Sequence, residues 1–262
     1  FAARAAPVQI SMIGYPFSTG LASMDYLIAD AVTVPDAEAA HYRESILRLQ
    51  RFSFCYPADL HPVLPPRPRR ERLVFGSFNN TPKLTPTTVR LWAAVLRAVP
   101  ASDLLLKSAS FEDAGCRARY QRLFAAEGIA AERLTFRGIS TLGRMMEEYR
   151  DIDIALDPTP FNGGTTTLQA LWAATPVVSL SGQGFFARMG ASILTHLGRP
   201  EWVAQSPEAF VAIATQLASD REALARLHAG LNAELRASSL CDTVAYTQDL
   251  ERLLAQAWAA PG

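Results

Sequence analysis

Short apolar runs alternate with helix-like segments from Leu73 to the end of the chain, and this alternation limits the possible folds most. The predicted strands are Leu73–Phe78, Asp103–Lys107, Leu134–Phe136, Ile152–Leu156 and Val177–Leu180. The predicted helices are Pro86–Val99, Phe111–Gly128, Thr141–Tyr149, a helix that begins at Thr165, Phe185–Leu197 and further segments up to Trp258. Strands that are apolar on both faces and alternate with helices specify a doubly wound parallel sheet. The sequence therefore predicts an α/β fold with a Rossmann-like lobe.

A stretch rich in proline and arginine precedes this lobe, between Pro57 and Arg72. Such a composition fits neither a helix nor a central strand. Upstream of it the pattern predicts strands at Val8–Ile13, Met24–Ala29 and Phe52–Tyr56 and a helical stretch at Ala37–Leu49. These elements are too few for a domain. We therefore predict that residues 1–60 are the C-terminal fragment of an earlier lobe, residues 61–72 a linker and residues 73–262 a separate C-terminal lobe.

Composition excludes several classes of function. Lys plus Arg and Asp plus Glu are balanced at 25 each, so no overall field favours nucleic acid or an anionic membrane surface. No apolar run approaches the roughly 18 residues that a membrane span needs, and the chain start does not resemble a signal peptide. Cys55, Cys116 and Cys241 have neither disulfide-framework nor zinc-site spacing. We expect a cytoplasmic protein without a membrane span, in which any anion site is local.

Two predicted strand ends carry residues suited to such a site. In open parallel sheets, ligands bind beyond the carboxyl ends of the strands, where helix N-termini present free N–H groups. The first loop contains Asn80 and Lys83, and the second contains Gly163, Gly164, Thr165 and Thr166. The glycines allow close backbone approach and the threonines can cap a helix or donate to a phosphate, so the pair of loops suits a diphosphate. An ordinary turn with a helix cap, and a solvated surface lysine, remain open at this point.

The amino-acid sequences of these loops resemble those of one family. Four ordered blocks carry the resemblance: residues 13–30, residues 78–83, residues 157–172 and residues 181–188. Together they resemble the intracellular protein O-GlcNAc transferases and their Spindly-like relatives. The resemblance implies a GT-B glycosyltransferase fold, with residues 73–262 as the nucleotide-sugar-binding lobe. It also implies UDP-GlcNAc as donor, inversion at the anomeric carbon, no metal or other cofactor, and Ser or Thr of intracellular proteins as acceptor.

The resemblance also implies roles for individual residues. Lys83 corresponds to the lysine that holds the donor diphosphate and is the predicted catalytic residue. The other predicted donor-binding residues are Asn80, where animal members carry glutamine, Thr165 and Thr166 as the phosphate-binding pair, Gly14 and Tyr15 beside the sugar, and Phe161 and Asn162 at the edge of the sugar pocket. Gly163 and Gly164 form the turn before the phosphate-binding pair. This chain departs from the animal enzymes at Gly164, where they carry histidine, and at Gln169, where they carry an aspartate near the ribose.

Other expected parts lie before Phe1. The resemblance places there the histidine beside the reacting sugar, the rest of the N-terminal lobe and a tetratricopeptide array for acceptor proteins. His41, His61, His196 and His228 do not match that histidine, and we interpret them as surface or packing residues. The partners expected are thus a UDP-sugar donor and a protein or peptide acceptor.

Alternatives remain at this stage. The donor could be GDP-fucose, as in the Spindly branch, or the chain could be a non-enzymatic module that binds a nucleotide sugar or a protein. A GT-B transferase for a small molecule or lipid is also open. Asp151-Ile-Asp153 could hold a divalent metal as Asp-X-Asp pairs do in the other main glycosyltransferase fold, although it begins an apolar strand.

Overall fold

Two parallel β-sheets with surrounding helices form the protein. The computed structural model describes residues 2–15, 17–68 and 70–259. Phe1 and Pro16 of the first predicted fragment, Arg69 of the predicted linker and residues 260–262 of the predicted C-terminal lobe lie outside the described residues.

The first sheet has three short parallel strands in the order β1-β2-β3. They are β1 (Ile10–Ser11), β2 (Tyr26–Ala29) and β3 (Ser45–Arg48). One face packs against the last helix of the chain through Leu253 and Ala257. The other face packs against Phe185 and Met189 of the second half. Both faces are buried, as parallel strands require.

Two predictions for this region are wrong. Ala37–Leu49 is not a helix: a 3-10 turn covers Asp36–His41, and the strand β3 follows it. The local composition favours a helix, but Leu47 and Leu49 are buried with Leu253 and Ala257 of the last helix, and tertiary packing overrides propensity. Phe52–Tyr56 forms bends and not a strand. Its aromatic residues fill the space between the two halves of the chain, and the Tyr56 N–H donates to the Leu240 carbonyl at 2.8 Å.

The second sheet has six parallel strands in the order β6-β5-β4-β7-β8-β9. They are β4 (Leu73–Ser77), β5 (Ser102–Lys107), β6 (Leu134–Arg137), β7 (Ile154–Leu156), β8 (Val177–Leu180) and β9 (Val203–Ala204). The five strands predicted in this half are confirmed. The sequence pattern missed β9 because only two of its residues pair. This order is that of a doubly wound sheet, and the chain reverses its direction of winding between β4 and β7.

Eight α-helices complete the described residues. They are α1 (Pro86–Ala98), α2 (Ala114–Ala126), α3 (Leu142–Glu148), α4 (Thr165–Trp172), α5 (Met189–Leu197), α6 (Pro207–Ser219), α7 (Arg221–Ala237) and α8 (Thr243–Ala259). The prediction that α4 begins at Thr165 is confirmed. Over residues 2–15, 17–68 and 70–259, none of the helices combines the length and the hydropathy that a membrane crossing needs.

A buried arginine fastens the proline-rich segment to the second sheet. The Arg67 guanidinium donates to the carbonyls of Tyr149, Ile152 and Ala173 and to the Thr175 hydroxyl, with 3.0 Å to Tyr149 and 2.6 Å to Ala173. Burial lowers the pKa of Arg67 to about 10, so it stays charged at neutral pH. One side chain thus satisfies carbonyls at the ends of several elements.

We predict that Arg67→Met destabilises the fold by roughly 3 kcal/mol, because buried acceptors lose their donor and gain no water in exchange. Urea unfolding measures the change. Arg90→Met is the matched control: Arg90 is exposed on α1 and bonds only within its own helix, to Thr87. Equal losses for the two variants would contradict the role given to Arg67.

Candidate functional site

The loops after β4 and β7 meet where the winding of the sheet reverses. Adjacent strands of a doubly wound sheet send their connections to opposite faces at this point, which opens a crevice at their carboxyl ends. The loop after β4 carries Asn79 and Lys83, and the loop after β7 carries Asp157 and the Gly163–Gly164 turn. The two predicted anion-binding segments therefore lie side by side.

Lys83 lies between the two loops. Its Nζ donates to the Asn162 carbonyl at 2.7 Å and lies 4.3 Å from the centre of the Phe161 ring. Burial lowers its pKa, and the charge of Asp157 partly offsets this shift. A half-buried ammonium held against the glycine-rich loop is not the solvated surface lysine of the alternative interpretation.

Helix α4 begins beside this lysine without a side-chain cap. Gly164 occupies the N-cap position. Because glycine has no side chain, no side-chain acceptor caps the first N–H groups of the helix. The Thr166 hydroxyl donates to Asn79 Oδ1 at 2.9 Å, which ties the helix start to the end of β4. Thr165 is exposed. The N-terminal N–H groups of α4 and the Lys83 ammonium can therefore act on one anion.

Asp157 lies beneath the turn with 2% of its surface exposed. Its Oδ1 accepts from the Gly163 N–H at 2.7 Å, and its Oδ2 accepts from the Ser179 hydroxyl at 2.6 Å. Burial raises its pKa to about 6, although these two hydrogen bonds and the nearby charge of Lys83 act in the opposite direction. Asp157 is the first residue of the block 157–172, but the sequence predicted no role for it. The available signal was an acidic residue directly after a buried strand.

The structure gives a reason for the glycines of this turn. A Cβ on Gly163 would lie 2.5 Å from the Thr166 hydroxyl and 3.0 Å from Asp157 Oδ1. A Cβ on Gly164 would collide with Met189 and lie 3.3 Å from Phe54. The space that a larger residue needs at position 164 is thus filled in this chain.

The remaining predicted residues of the second half differ in exposure. Asn162 is fully buried and its Nδ2 donates to the Pro158 carbonyl at 2.9 Å, whereas Phe161 is 37% exposed. Asn80 is exposed at the start of the turn that carries Lys83. Gln169 is buried one turn into α4, so its predicted position near a ribose stays a prediction.

Gly14 and Tyr15 belong to the loop after β1, which reaches the same region through aromatic contacts. The ring centre of Phe17 in this loop lies 5.9 Å from that of Phe186, and the Phe186 ring stacks on the Phe161 ring with 5.6 Å between their centres. Gly14 and Tyr15 are both exposed. The loop is therefore positioned on the Phe161 side of the site.

An ion pair fixes the segment that carries Phe186. The Arg188 guanidinium contacts Glu38 Oε1 at 2.5 Å, and Glu38 Oε2 accepts from the Gly184 N–H at 3.3 Å. Glu38 belongs to the first half of the chain and Arg188 to the second. Sequence reasoning missed this pair because no local pattern relates residues 150 positions apart.

Asp151 and Asp153 lie at the opposite end of β7 from the crevice. Asp151 pairs with Arg70 and with Arg137, the latter at 2.7 Å, and Asp153 Oδ2 accepts from the Val74 N–H at 2.8 Å. Both carboxylates of this acidic pair at a strand start thus have structural partners, and the neighbouring Arg150 donates to the Pro66 carbonyl. Across the described ranges, no group of three or more His, Cys, Asp or Glu could hold a metal ion.

The histidines have separate environments. His61 contacts the Tyr56 hydroxyl at 2.6 Å, and His228 Nε2 contacts the Asp153 carbonyl at 2.8 Å. Burial, aided by the charge of Arg67, lowers the pKa of His228 to about 4. These contacts agree with packing roles.

A model of glycosyl transferase family 41 matches residues 1–57 and 67–250. The chain belongs to this family. It is 35% identical over 261 residues to the probable UDP-N-acetylglucosamine–peptide N-acetylglucosaminyltransferase SPINDLY of Petunia hybrida, with 98% of this chain and 28% of the relative covered. The corresponding SEC protein of Arabidopsis thaliana is 30% identical over 271 residues, with 98% and 27% covered. The chain thus spans little more than a quarter of these relatives.

Solved structures agree on the fold. A lysine-to-methionine mutant of Thermobaculum terrenum O-GlcNAc transferase matches with a TM-score of 0.89 and 34% identity, over 97% of this chain and 49% of that chain. Sucrose-phosphate synthase from Thermosynechococcus elongatus matches at 0.57 with 18% identity, over 90% of this chain and 59% of that chain, a likeness of fold alone. The predicted GT-B fold class is confirmed.

We predict that Asp157→Asn stabilises the protein at neutral pH. Because the folded pKa is about 6 against an ordinary 3.8, folded Asp157 keeps its proton between about pH 4 and 6 while the unfolded chain has lost it. Wild-type stability therefore falls as pH rises through this window, and the advantage of the variant should grow there by up to about 3 kcal/mol. Urea unfolding at several pH values measures it.

Asp153→Asn makes the same chemical change at the other end of β7 and controls for the loss of a carboxylate from this strand. An Asp157→Asn advantage of equal size at pH 4 and pH 7 would contradict a raised pKa for Asp157.

Proposed function

We propose that this chain is the donor-binding part of a glycosyltransferase that moves GlcNAc from UDP-GlcNAc to Ser or Thr hydroxyls of intracellular proteins. The observation that carries the proposal is the convergence of the Lys83 ammonium and the uncapped start of α4 where the sheet reverses its winding. Names of the relatives, which specify UDP-N-acetylglucosamine and a peptide, support the choice of donor and acceptor.

Inversion without a metal is the mechanism we propose. When the acceptor hydroxyl attacks from the face opposite the leaving diphosphate, negative charge grows on the β-phosphate. Lys83 contributes a full positive charge and the start of α4 contributes partial charges, both preorganised in a partly buried crevice. These groups supply the stabilisation for which other transferases use a divalent cation.

GDP-fucose is the second candidate donor. The chain is 35% identical to a SPINDLY relative and 30% identical to a SEC relative, so the Spindly branch is the nearer of the two. Gln169, which stands where animal O-GlcNAc transferases carry an aspartate, supports a different nucleoside contact. Competition between UDP and GDP for the protein distinguishes the two donors.

The proposed surroundings follow from the same resemblance. Residues 1–60 would end one catalytic lobe, residues 61–72 would link the lobes, and residues 73–262 would bind the nucleotide sugar, with Gly14, Tyr15, Phe161 and Asn162 near the sugar. The first sheet, with its β1 and β3 edges, supports the first part of this division. A tetratricopeptide array in the full-length protein would bind acceptor proteins, and three unpaired cysteines support a cytoplasmic location.

We predict that Lys83→Ala lowers kcat of the full-length protein about 10²-fold to 10³-fold, because it removes a preorganised positive charge where negative charge grows. Thr165→Ala is the matched control and should cost less, since the backbone N–H survives and only an exposed hydroxyl is lost. Turnover of labelled UDP-GlcNAc and GDP-fucose measures both. Near-normal turnover by Lys83→Ala would place the diphosphate site elsewhere, and no turnover of either donor by the wild type would favour a non-enzymatic binding module.

We also predict that EDTA leaves the rate of transfer unchanged. The reason is that the phosphate-binding groups are an ammonium and backbone N–H groups, whereas Asp151 and Asp153 lie at the far end of β7 and bind arginines and a backbone N–H. Initial rates with and without the chelator test this. Activity that is lost in EDTA and restored by Mn²⁺ would overturn metal independence.

A further inference from the structure

Asp157 is a buried carboxylate to which neither the sequence motifs nor the proposed transfer assigns a task. Three elements enclose it. The Gly163 N–H contacts one oxygen and the Ser179 hydroxyl of β8 contacts the other. A Cβ on Gly190 of α5 would collide with both Asp157 Oδ2 and Ser179 Oγ, so the backbone of α5 packs closely against the third side of the carboxylate.

Lys83 provides the positive charge that acts on this carboxylate. The Lys83 Nζ donates to the carbonyl of Asn162, and the next residue, Gly163, donates its N–H to Asp157 Oδ1, so adjacent residues of one turn hold the ammonium and the carboxylate. In this arrangement the charge of Lys83 acts to lower the pKa of Asp157, and the charge of Asp157 acts to raise that of Lys83. Tyr149 is the other titratable group whose pKa Asp157 affects: burial raises this pKa, and the charge of Asp157 adds to the shift. The Tyr149 hydroxyl donates to the Thr166 carbonyl at 3.1 Å. The facing groups are therefore one ammonium and one phenol.

The two charges are near but do not form a contact ion pair. The ion pairs among the described residues do not include Lys83 with Asp157, and the Lys83 Nζ bonds the Asn162 carbonyl instead. A contact pair would have to break before the lysine could reach a phosphate. Because the two groups are not in contact, Asp157 can favour the charged form of Lys83 without occupying its donors.

A buried carboxylate of this kind is unfavourable for stability, since desolvation of an ion exceeds what two hydrogen bonds return. An asparagine of the same shape would avoid this desolvation cost: its oxygen could accept from the Gly163 N–H, and its Nδ2 could donate to the Ser179 hydroxyl oxygen. Buried charges of this type are commonly found where they serve a site.

We propose that Asp157 is a positioning residue for the anion site: it holds the Gly163–Gly164 turn through the Gly163 N–H and keeps the half-buried Lys83 amine in its charged form before the anion arrives. This inference rests on the proposed function, since it concerns the same diphosphate site. An amine that had lost its proton would offer no charge to the incoming diphosphate, and the crevice would no longer be preorganised.

The sequence offers a direct measurement, because its 262 residues contain only two lysines, Lys83 and Lys107. ¹⁵N-lysine labelling of the 262-residue chain therefore gives two side-chain signals, which single Lys→Arg variants assign. Lys107, the last residue of β5, is an internal control: its Nζ is 2.9 Å from Glu148 of α3. In Asp157→Asn the Lys83 amine should titrate at lower pH than in the wild type, whereas the Lys107 signal should not shift. In the control variant Asp153→Asn neither signal should shift.

Binding of UDP, GDP and inorganic pyrophosphate, measured by calorimetry at pH 7 and pH 9.5, provides the functional comparison. Asp157→Asn keeps an oxygen for the Gly163 N–H, so its affinity should stay within about threefold of wild type at pH 7. At pH 9.5 it should bind about tenfold more weakly, because a larger fraction of Lys83 is uncharged. A role in structure alone would not move this pH dependence.

The outcomes separate the two proposals. A wild-type chain that binds none of the three ligands rejects the proposed function and this inference with it. Ligand binding by the wild type, with the same Lys83 titration in Asp157→Asn, rejects this inference alone. If Asp157→Asn does not fold, Lys83→Met provides the reciprocal test: coupling requires that the pH window of Asp157 in urea unfolding move upward, and an unmoved window overturns the inference.

Discussion

The proposed anion site depends on the reversal of winding between β4 and β7. Because the connections of these neighbouring parallel strands leave toward opposite faces, their carboxyl ends are not covered by their own helices. Lys83 enters the gap from one loop and α4 begins at the other. Thr166 and Asn79 then bond the two loops together at 2.9 Å, so the spacing of the site is set by the sheet itself.

The proposed anion site is positive although the net charge of the chain is zero. Its positive charge comes from one ammonium and the partial charges of a helix start, and one carboxylate is buried beneath the turn. Other charges neutralise each other in pairs, such as Arg188 with Glu38 between the two halves of the chain. A protein of balanced charge can therefore bind a polyanion locally without attracting polyanions over its whole surface.

Much of the second half could be predicted from sequence because burial on both faces makes each strand a continuous apolar run, as at Val177–Leu180. The positions of Lys83 and Thr165 followed from those strands, since a strand end fixes the edge at which its loop lies. The segment Ala37–Leu49 failed for the opposite reason: its strand exists through pairing with β2, which local composition does not encode. Asp157 and the Glu38–Arg188 pair escaped notice because their importance lies in burial and in contacts between distant segments.

The docking of α8 on the first sheet has a consequence for how the chain acquires its structure. Leu253 and Ala257 cover Ile28, Leu47 and Leu49, and Arg51 pairs with Asp249, 198 positions later, at 2.9 Å. Contacts of such sequence separation form late because a long loop must close first. During synthesis the apolar face of the first sheet that α8 covers therefore stays exposed until α8 has left the ribosome, and an uncovered apolar face can aggregate while the chain is incomplete.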